Sequence, residues 1–127
     1  MTPETIRTLT SRYFAATRAM DLDAWLACFA DDAVSHDPYG APPIKGKDEL
    51  RKLFLSVAIA FKEIGFTEYF VNATGNRAAV AFTARGIGHN GKPATCEGID
   101  IFEFNEGGTI QIMWGYWDPA AMIAQLQ

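Results

Sequence analysis

Three side chains in this sequence pair acid-base chemistry with positions that point inward: Tyr13, Asp37 and Asp100. Asp100 lies in the run Cys96 to Phe104, where strand alternation puts Cys96, Gly98, Asp100, Phe102 and Phe104 on one face and Glu97 and Glu103 on the other. The glutamates take the solvated side, so Asp100 sits among apolar neighbours. Burial disfavours its charged form, and a carboxyl kept neutral near pH 7 donates a hydrogen bond instead of accepting one. The competing reading is a buried ion pair, with Arg12, Arg18 and Arg85 as the available guanidiniums. Tyr13 shares a helical face with Leu9 and Ala16, so its hydroxyl either bonds a backbone carbonyl in the core or faces a cavity. Asp37 precedes Pro38 at the end of a short strand, where it caps a turn or presents a carboxylate to that cavity.

The elements that must position these groups follow from periodicity. Thr2-Pro3-Glu4-Thr5 reads as a capped start, and Ile6, Leu9, Tyr13, Ala16 and Met20 recur at helical spacing, which predicts a helix over Pro3 to Ala19. A shorter helix opens at Asp21-Leu22-Asp23, with Trp25, Leu26 and Phe29 as its apolar face, and ends before Asp31-Asp32. Ala33 to Asp37 reads as a short strand, and the prolines of Pro38 to Pro43 keep the next segment irregular. A third amphipathic helix covers Lys47 to Phe61. Phe66 to Val71, Arg77 to Gly88, Ala94 to Phe104 and Thr109 to Trp117 are strands in an antiparallel meander, with turns at Gly75-Asn76, Asn90-Gly91 and Glu106-Gly107-Gly108. At most a helical turn follows Asp118-Pro119. Three helices followed by one antiparallel sheet form a segregated α+β pattern, a single domain over residues 1–127 with a pocket between helices and curved sheet.

With 127 residues, 49% hydrophobic composition and a net charge of -4, the chain can bury a continuous core and offers no basic surface to nucleic acid. No apolar run suits a membrane span, and the N-terminus does not resemble a signal peptide, so a cytoplasmic protein is expected. Cys28 and Cys96 stand alone and read as buried spectators, while His36 and His89 read as surface residues.

Around these three residues the chain resembles the bacterial Δ5-3-ketosteroid isomerases, within the NTF2-like and SnoaL-like superfamily. The likeness is carried by Ser11-Arg12-Tyr13, the run Phe29-Ala30-Asp31-Asp32-Ala33-Val34-Ser35-His36-Asp37-Pro38-Tyr39-Gly40, Pro42 to Gly46, Gly98-Ile99-Asp100, and Gly108 through Trp117. The resemblance implies a cone-shaped pocket in which Asp37 is the general base and Tyr13 and neutral Asp100 form an oxyanion hole. It implies a small apolar ketone or steroid-like substrate and a double bond moved into conjugation, without cofactor or metal. Met113, Gly115 and Trp117 alternate on the last strand and, with Phe54, Gly98 and Phe102, would wall the pocket; ordinary core is the alternative for each. Phe29 and Phe54 stand where some members carry additional tyrosines, and Gly98 stands where bulkier residues are usual, implying a roomier or differently shaped cavity. Epoxide hydrolases of the same superfamily would need an arginine at the position of Gly98. A polyketide cyclase, a dehydratase or a non-catalytic binder are the other functions this resemblance admits. The apolar Ile110, Ile112 and Trp114 on the opposite face predict a homodimer.

Overall fold

A computed structural model describes residues Met1 to Gln127. Helix α1 (Pro3–Arg18) starts where the Thr2 hydroxyl accepts the Thr5 N–H at 3.1 Å, and Pro3 fills the first turn, where its missing donor costs nothing. Its buried face is Ile6, Thr10, Tyr13, Phe14, Ala16 and Thr17, the spacing of one helical stripe. Asp21 caps α2 (Leu22–Ala27) by accepting the Ala24 N–H at 3.0 Å. Strand β1 (Phe29–His36) leads through an irregular segment to the two-residue β2 (Ile44–Lys45) and then α3 (Gly46–Ala60). Strands β3 (Glu63–Thr74), β4 (Arg77–Ile87), β5 (Pro93–Phe104) and β6 (Ile110–Tyr116) follow, and α4 (Pro119–Ala124) closes the chain.

The six strands form one sheet in the order β2-β1-β6-β5-β4-β3. Strands β3 to β6 make the expected antiparallel meander, whereas β1 pairs with β6 in parallel, with Ser35 opposite Met113 and His36 opposite Trp114. That parallel pairing closes a crossover running through α3 and four strands, β2 to β5, and no local pattern announces it. It matters for the site, because it lays the end of β1 against β6.

Helix α1 is latched to β3 near its C-terminal end, and Arg7 also donates to the Val71 carbonyl at 3.0 Å. Thr17 Oγ1 accepts the Phe66 N–H at 3.1 Å, and Arg18 donates to the Phe66 carbonyl at 3.1 Å and to Glu68 Oε1 at 2.8 Å. Phe14, Phe29, Phe82 and Phe102 are fully buried between the helices and the sheet. Phe14 meets Phe82 and Phe102 with ring centroids 5.8 and 6.2 Å apart. Tyr13 is thus set against a hydrocarbon floor.

Three sequence expectations change. Phe29 opens β1 instead of ending the second helix, and its ring is buried. Ile110 is also buried, where an outward face was expected. Between Phe104↔Ile110 and Glu103↔Ile112 the register skips Gln111, and this bulge turns Ile110 inward while leaving Ile112 and Trp114 outside. Cys28 and Cys96 are half-buried free thiols, not fully buried ones. Ile44–Lys45, which follow the irregular Pro38 to Pro43 segment, form an edge strand on β1. No helix is long and apolar enough to cross a membrane.

Candidate active site

Between the concave face of the sheet and helices α1, α2 and α3 lies a cavity of about 230 Å³, lined by 20 residues of which 14 are hydrophobic. Tyr13, Asp37 and Asp100 all open onto it, and they are the only titratable side chains in the lining. Each arrives from a different element: Tyr13 from the middle of α1, Asp37 from the residue after β1, Asp100 from the inward face of β5. Register brings them together. Asp100 pairs with Gly115 on β6, and a methyl built on Gly115 would overlap the Asp37 carboxyl. The carboxyl of Asp37 therefore occupies the side-chain space that Gly115 leaves empty, one strand away from Asp100. The Tyr39 N–H donates to the Gly115 carbonyl at 2.9 Å, tying the chain after Asp37 to the same residue.

The two aspartates differ in their partners. Asp37 Oδ1 accepts the Trp117 indole N–H at 2.9 Å, which stabilises its charged form. Burial is the larger influence and raises its pKa to about 6, so it is mostly ionised at neutral pH. Asp100 is buried, with Oδ1 lacking any hydrogen-bond partner. Burial and then the Asp37 carboxylate hold its pKa well above the ordinary carboxyl value. No guanidinium relieves it: Arg12, Arg18 and Arg85 are all solvent-exposed, and Arg18 is paired with Glu68. The ion-pair alternative for Asp100 is thereby removed.

Tyr13 is enclosed by the rings of Phe14, Trp25, Phe29 and Phe102, the last at 4.8 Å between centroids. Its hydroxyl donates to Met113 Sδ at 3.8 Å. A thioether is a weak acceptor, so little is lost when that proton turns to a better one. Burial, then Asp100 and Asp37, push its pKa well above the usual phenol value, which keeps the group a donor.

The residues expected to wall the pocket separate into two groups. Phe54 and Trp117 line the cavity, whereas Gly98, Phe102, Met113 and Gly115 do not. Phe102 and Met113 are fully buried behind Tyr13, and Gly115 lies beneath Asp37. A methyl on Gly98 would collide with Phe82 and Trp117, so the space expected there is already filled. Phe54 packs on Trp25 at 5.3 Å instead of contacting Tyr13. The Trp117–Asp37 hydrogen bond is a contact in the cavity wall that sequence reasoning missed; alternation pointed Trp117 inward without indicating its partner. His36 stacks on Trp114 at 6.0 Å on the outer face. The chain gathers no group of three or more His, Cys, Asp or Glu side chains able to hold a metal ion.

Helices stacked on a curved sheet around an apolar, acid-bearing cavity define an α+β fold of the NTF2-like, SnoaL-like kind. The chain belongs to the SnoaL-like domain family, whose profile matches residues 10–112. It is 25% identical over 118 residues to the steroid Delta-isomerase of Nocardioides simplex, covering 93% of this chain and 94% of that one. A putative polyketide cyclase from Xanthomonas campestris pv. campestris superposes with a TM-score of 0.86 at 21% identity, covering 98% of both chains. A Mycobacterium tuberculosis protein solved in complex with estradiol-17beta-hemisuccinate superposes with a TM-score of 0.79 at 23% identity, covering 92% of this chain and 96% of that one.

A carboxyl that ionises less readily folded than unfolded weakens the fold as pH rises, because the unfolded chain gives up that proton first. Asp100→Asn removes this penalty. In urea unfolding at pH 8 the variant is expected to exceed wild type by more than about 1 kcal/mol, with the gap closing towards pH 4. A gap that does not change with pH would show that Asp100 ionises normally.

Proposed function

We propose that this chain isomerises a β,γ-unsaturated ketone to its conjugated form, with Asp37 as general base and Tyr13 and neutral Asp100 as donors to the oxygen. The observation that carries this reading is the cavity wall, whose only titratable groups are Asp37, its pKa raised to about 6, Asp100, its pKa raised well above the ordinary value by burial, and the Tyr13 phenol. Asp37 takes the proton α to the ketone, and the C–H electron pair moves to form an enolate. Charge on the enolate oxygen draws the Tyr13 hydroxyl away from Met113 and supplies the acceptor that the Asp100 carboxyl lacks. The same proton then returns from Asp37 to the γ carbon, so the double bond shifts and atoms balance without oxidant, water or metal. A pKa near 6 suits the shuttle: the base is ionised at neutral pH yet basic enough to hold a proton for an instant. Likeness to a steroid Delta-isomerase over nearly the whole chain supports the reaction class.

A second reading has its own observation. The Tyr13 hydroxyl rests on Met113, so the two donors are not joined to each other before a ligand arrives. Asp37 acting alone as base would serve cyclisation of an enolisable polyketide-like substrate, and the family membership supports that class as well. Tyr13 discriminates the two, because only the isomerase reading places it on the reacting oxygen.

The chain works as a homodimer through the outer sheet face. Trp114 and Ile112 lie there as expected, but Ile110 does not; Ile99, at 49% exposure, and Tyr116, at 44%, extend the patch on β5 and β6. Tyr39 stacks on Tyr116 at 5.7 Å and enlarges the same surface. A second copy covers this face.

Following conjugated-enone absorbance with cyclohex-3-en-1-one, Asp37→Asn is expected to abolish most turnover, and Tyr13→Phe to lower kcat about 10²- to 10³-fold. Wild-type kcat/KM should fall as pH drops below about 6, where Asp37 gains a proton. Trp117→Phe removes a hydrogen bond that lowers the Asp37 pKa and should move that limb upward. Equal rates for wild type and Asp37→Asn exclude the base assignment; an unaffected Tyr13→Phe favours the cyclase reading. Sedimentation at micromolar concentration should give a dimer, and a monomer there removes the interface.

A further inference from the structure

The cavity is small for the ligand that the steroid-binding comparison suggests. An apolar cavity of about 150 Å³ holds one benzene ring, which sets a scale of about 25 Å³ per carbon. On that scale about 230 Å³ admits about nine or ten ligand atoms, whereas the roughly 17 ring carbons of a steroid skeleton need about 425 Å³. Resting on the isomerase reading, we infer that the substrate is a ketone of one or two rings, and that Phe66 is the residue that sets this limit.

The limit has an identifiable cause. Phe66 on β3, Phe82 on β4 and Trp117 after β6 all line the cavity. Phe66 meets Phe82 edge-on at 5.5 Å and Trp117 edge-on at 5.2 Å. Phe82 and Trp117 close over Gly98, so the missing side chain on β5 gives no depth. Trp117 cannot swing away to lengthen the cavity without releasing Asp37, whose carboxylate its indole holds. Phe82 is 2% exposed and fixed in the core against Phe14. Phe66, half-buried like Trp117, holds neither acid, and its backbone is pinned from both sides, the N–H by Thr17 and the carbonyl by Arg18. Edge contacts with Phe82 and Trp117 keep its ring where it blocks, and of the three it is the one that neither hydrogen-bonds an acid nor is sealed in the core. Ketones able to place their oxygen near Tyr13 and Asp100 and end before Phe66 fit; a four-ring ketone in the same pose runs into this wall.

Equilibrium dialysis with two phenols, whose hydroxyl takes the place of the ketone oxygen, tests the limit apart from turnover. One is 2-naphthol, with two rings, and the other is estradiol, with four. Burial of apolar area alone favours the larger ligand. Wild type is instead expected to bind 2-naphthol at least about tenfold more tightly than estradiol. Phe66→Ala should narrow or reverse that ratio, and Phe66→Leu should shift it in the same direction, each variant being checked for a cooperative melt. Estradiol binding as tightly as 2-naphthol in wild type, neither phenol binding, or a ratio unchanged in folded Phe66 variants overturns the inference. Failure of cyclohex-3-en-1-one to react would count against the isomerase reading while leaving the size limit to the dialysis result.

Discussion

Two carboxyl groups in one apolar cavity cannot both carry charge without a large loss of hydration, and the architecture of this chain divides the burden between them unequally. Asp37 keeps an indole donor and a pKa of about 6; Asp100 has neither a donor nor a guanidinium, and burial holds its pKa well above the ordinary carboxyl value. The charge on the first raises the pKa of the second, so one arrangement drives the two carboxyls apart in acidity. Tyr13 sits in the field of both and is held in its neutral, donating form. The chemistry proposed for the site is a consequence of that asymmetry, and so is a fold that gives up stability to keep acids out of water.

Holding such an arrangement demands a rigid surround, and the chain supplies it with backbone proximity and aromatic packing. Gly115 gives its side-chain volume to the Asp37 carboxyl, and Gly98 gives its volume to Phe82 and Trp117. Phe102 and Phe14 pack beneath and beside the Tyr13 ring, while Thr17 and Arg18 latch the end of α1 to β3. The same contacts that orient the acids also consume space and hold the cavity to about 230 Å³. Depth and orientation are therefore linked through Trp117, which holds the Asp37 carboxylate and lines the cavity.

Much of this was legible in the residues. Helical spacing around Tyr13 and alternation around Asp100 were enough to point both side chains inward, because those patterns depend only on local geometry. The strand order was less accessible: β1 joins β6 in parallel across a long crossover, and a bulge at Gln111 reverses the facing of Ile110. Trp117 donating to Asp37 links residues 80 positions apart and needs that pairing first. Gly98 misled in an instructive way. A missing side chain suggested room, yet the strand neighbour Phe82 fills it, and a gap in one strand cannot be read without its partner.

The direct test of this division of charge is a pH titration of the aspartate side-chain carboxyl carbons by 13C NMR, with resonances assigned through Asp37→Asn and Asp100→Asn. The account predicts that Asp37 titrates near pH 6 and that Asp100 remains protonated through neutrality. An Asp100 carboxyl that loses its proton near the ordinary value of about 4 would contradict it.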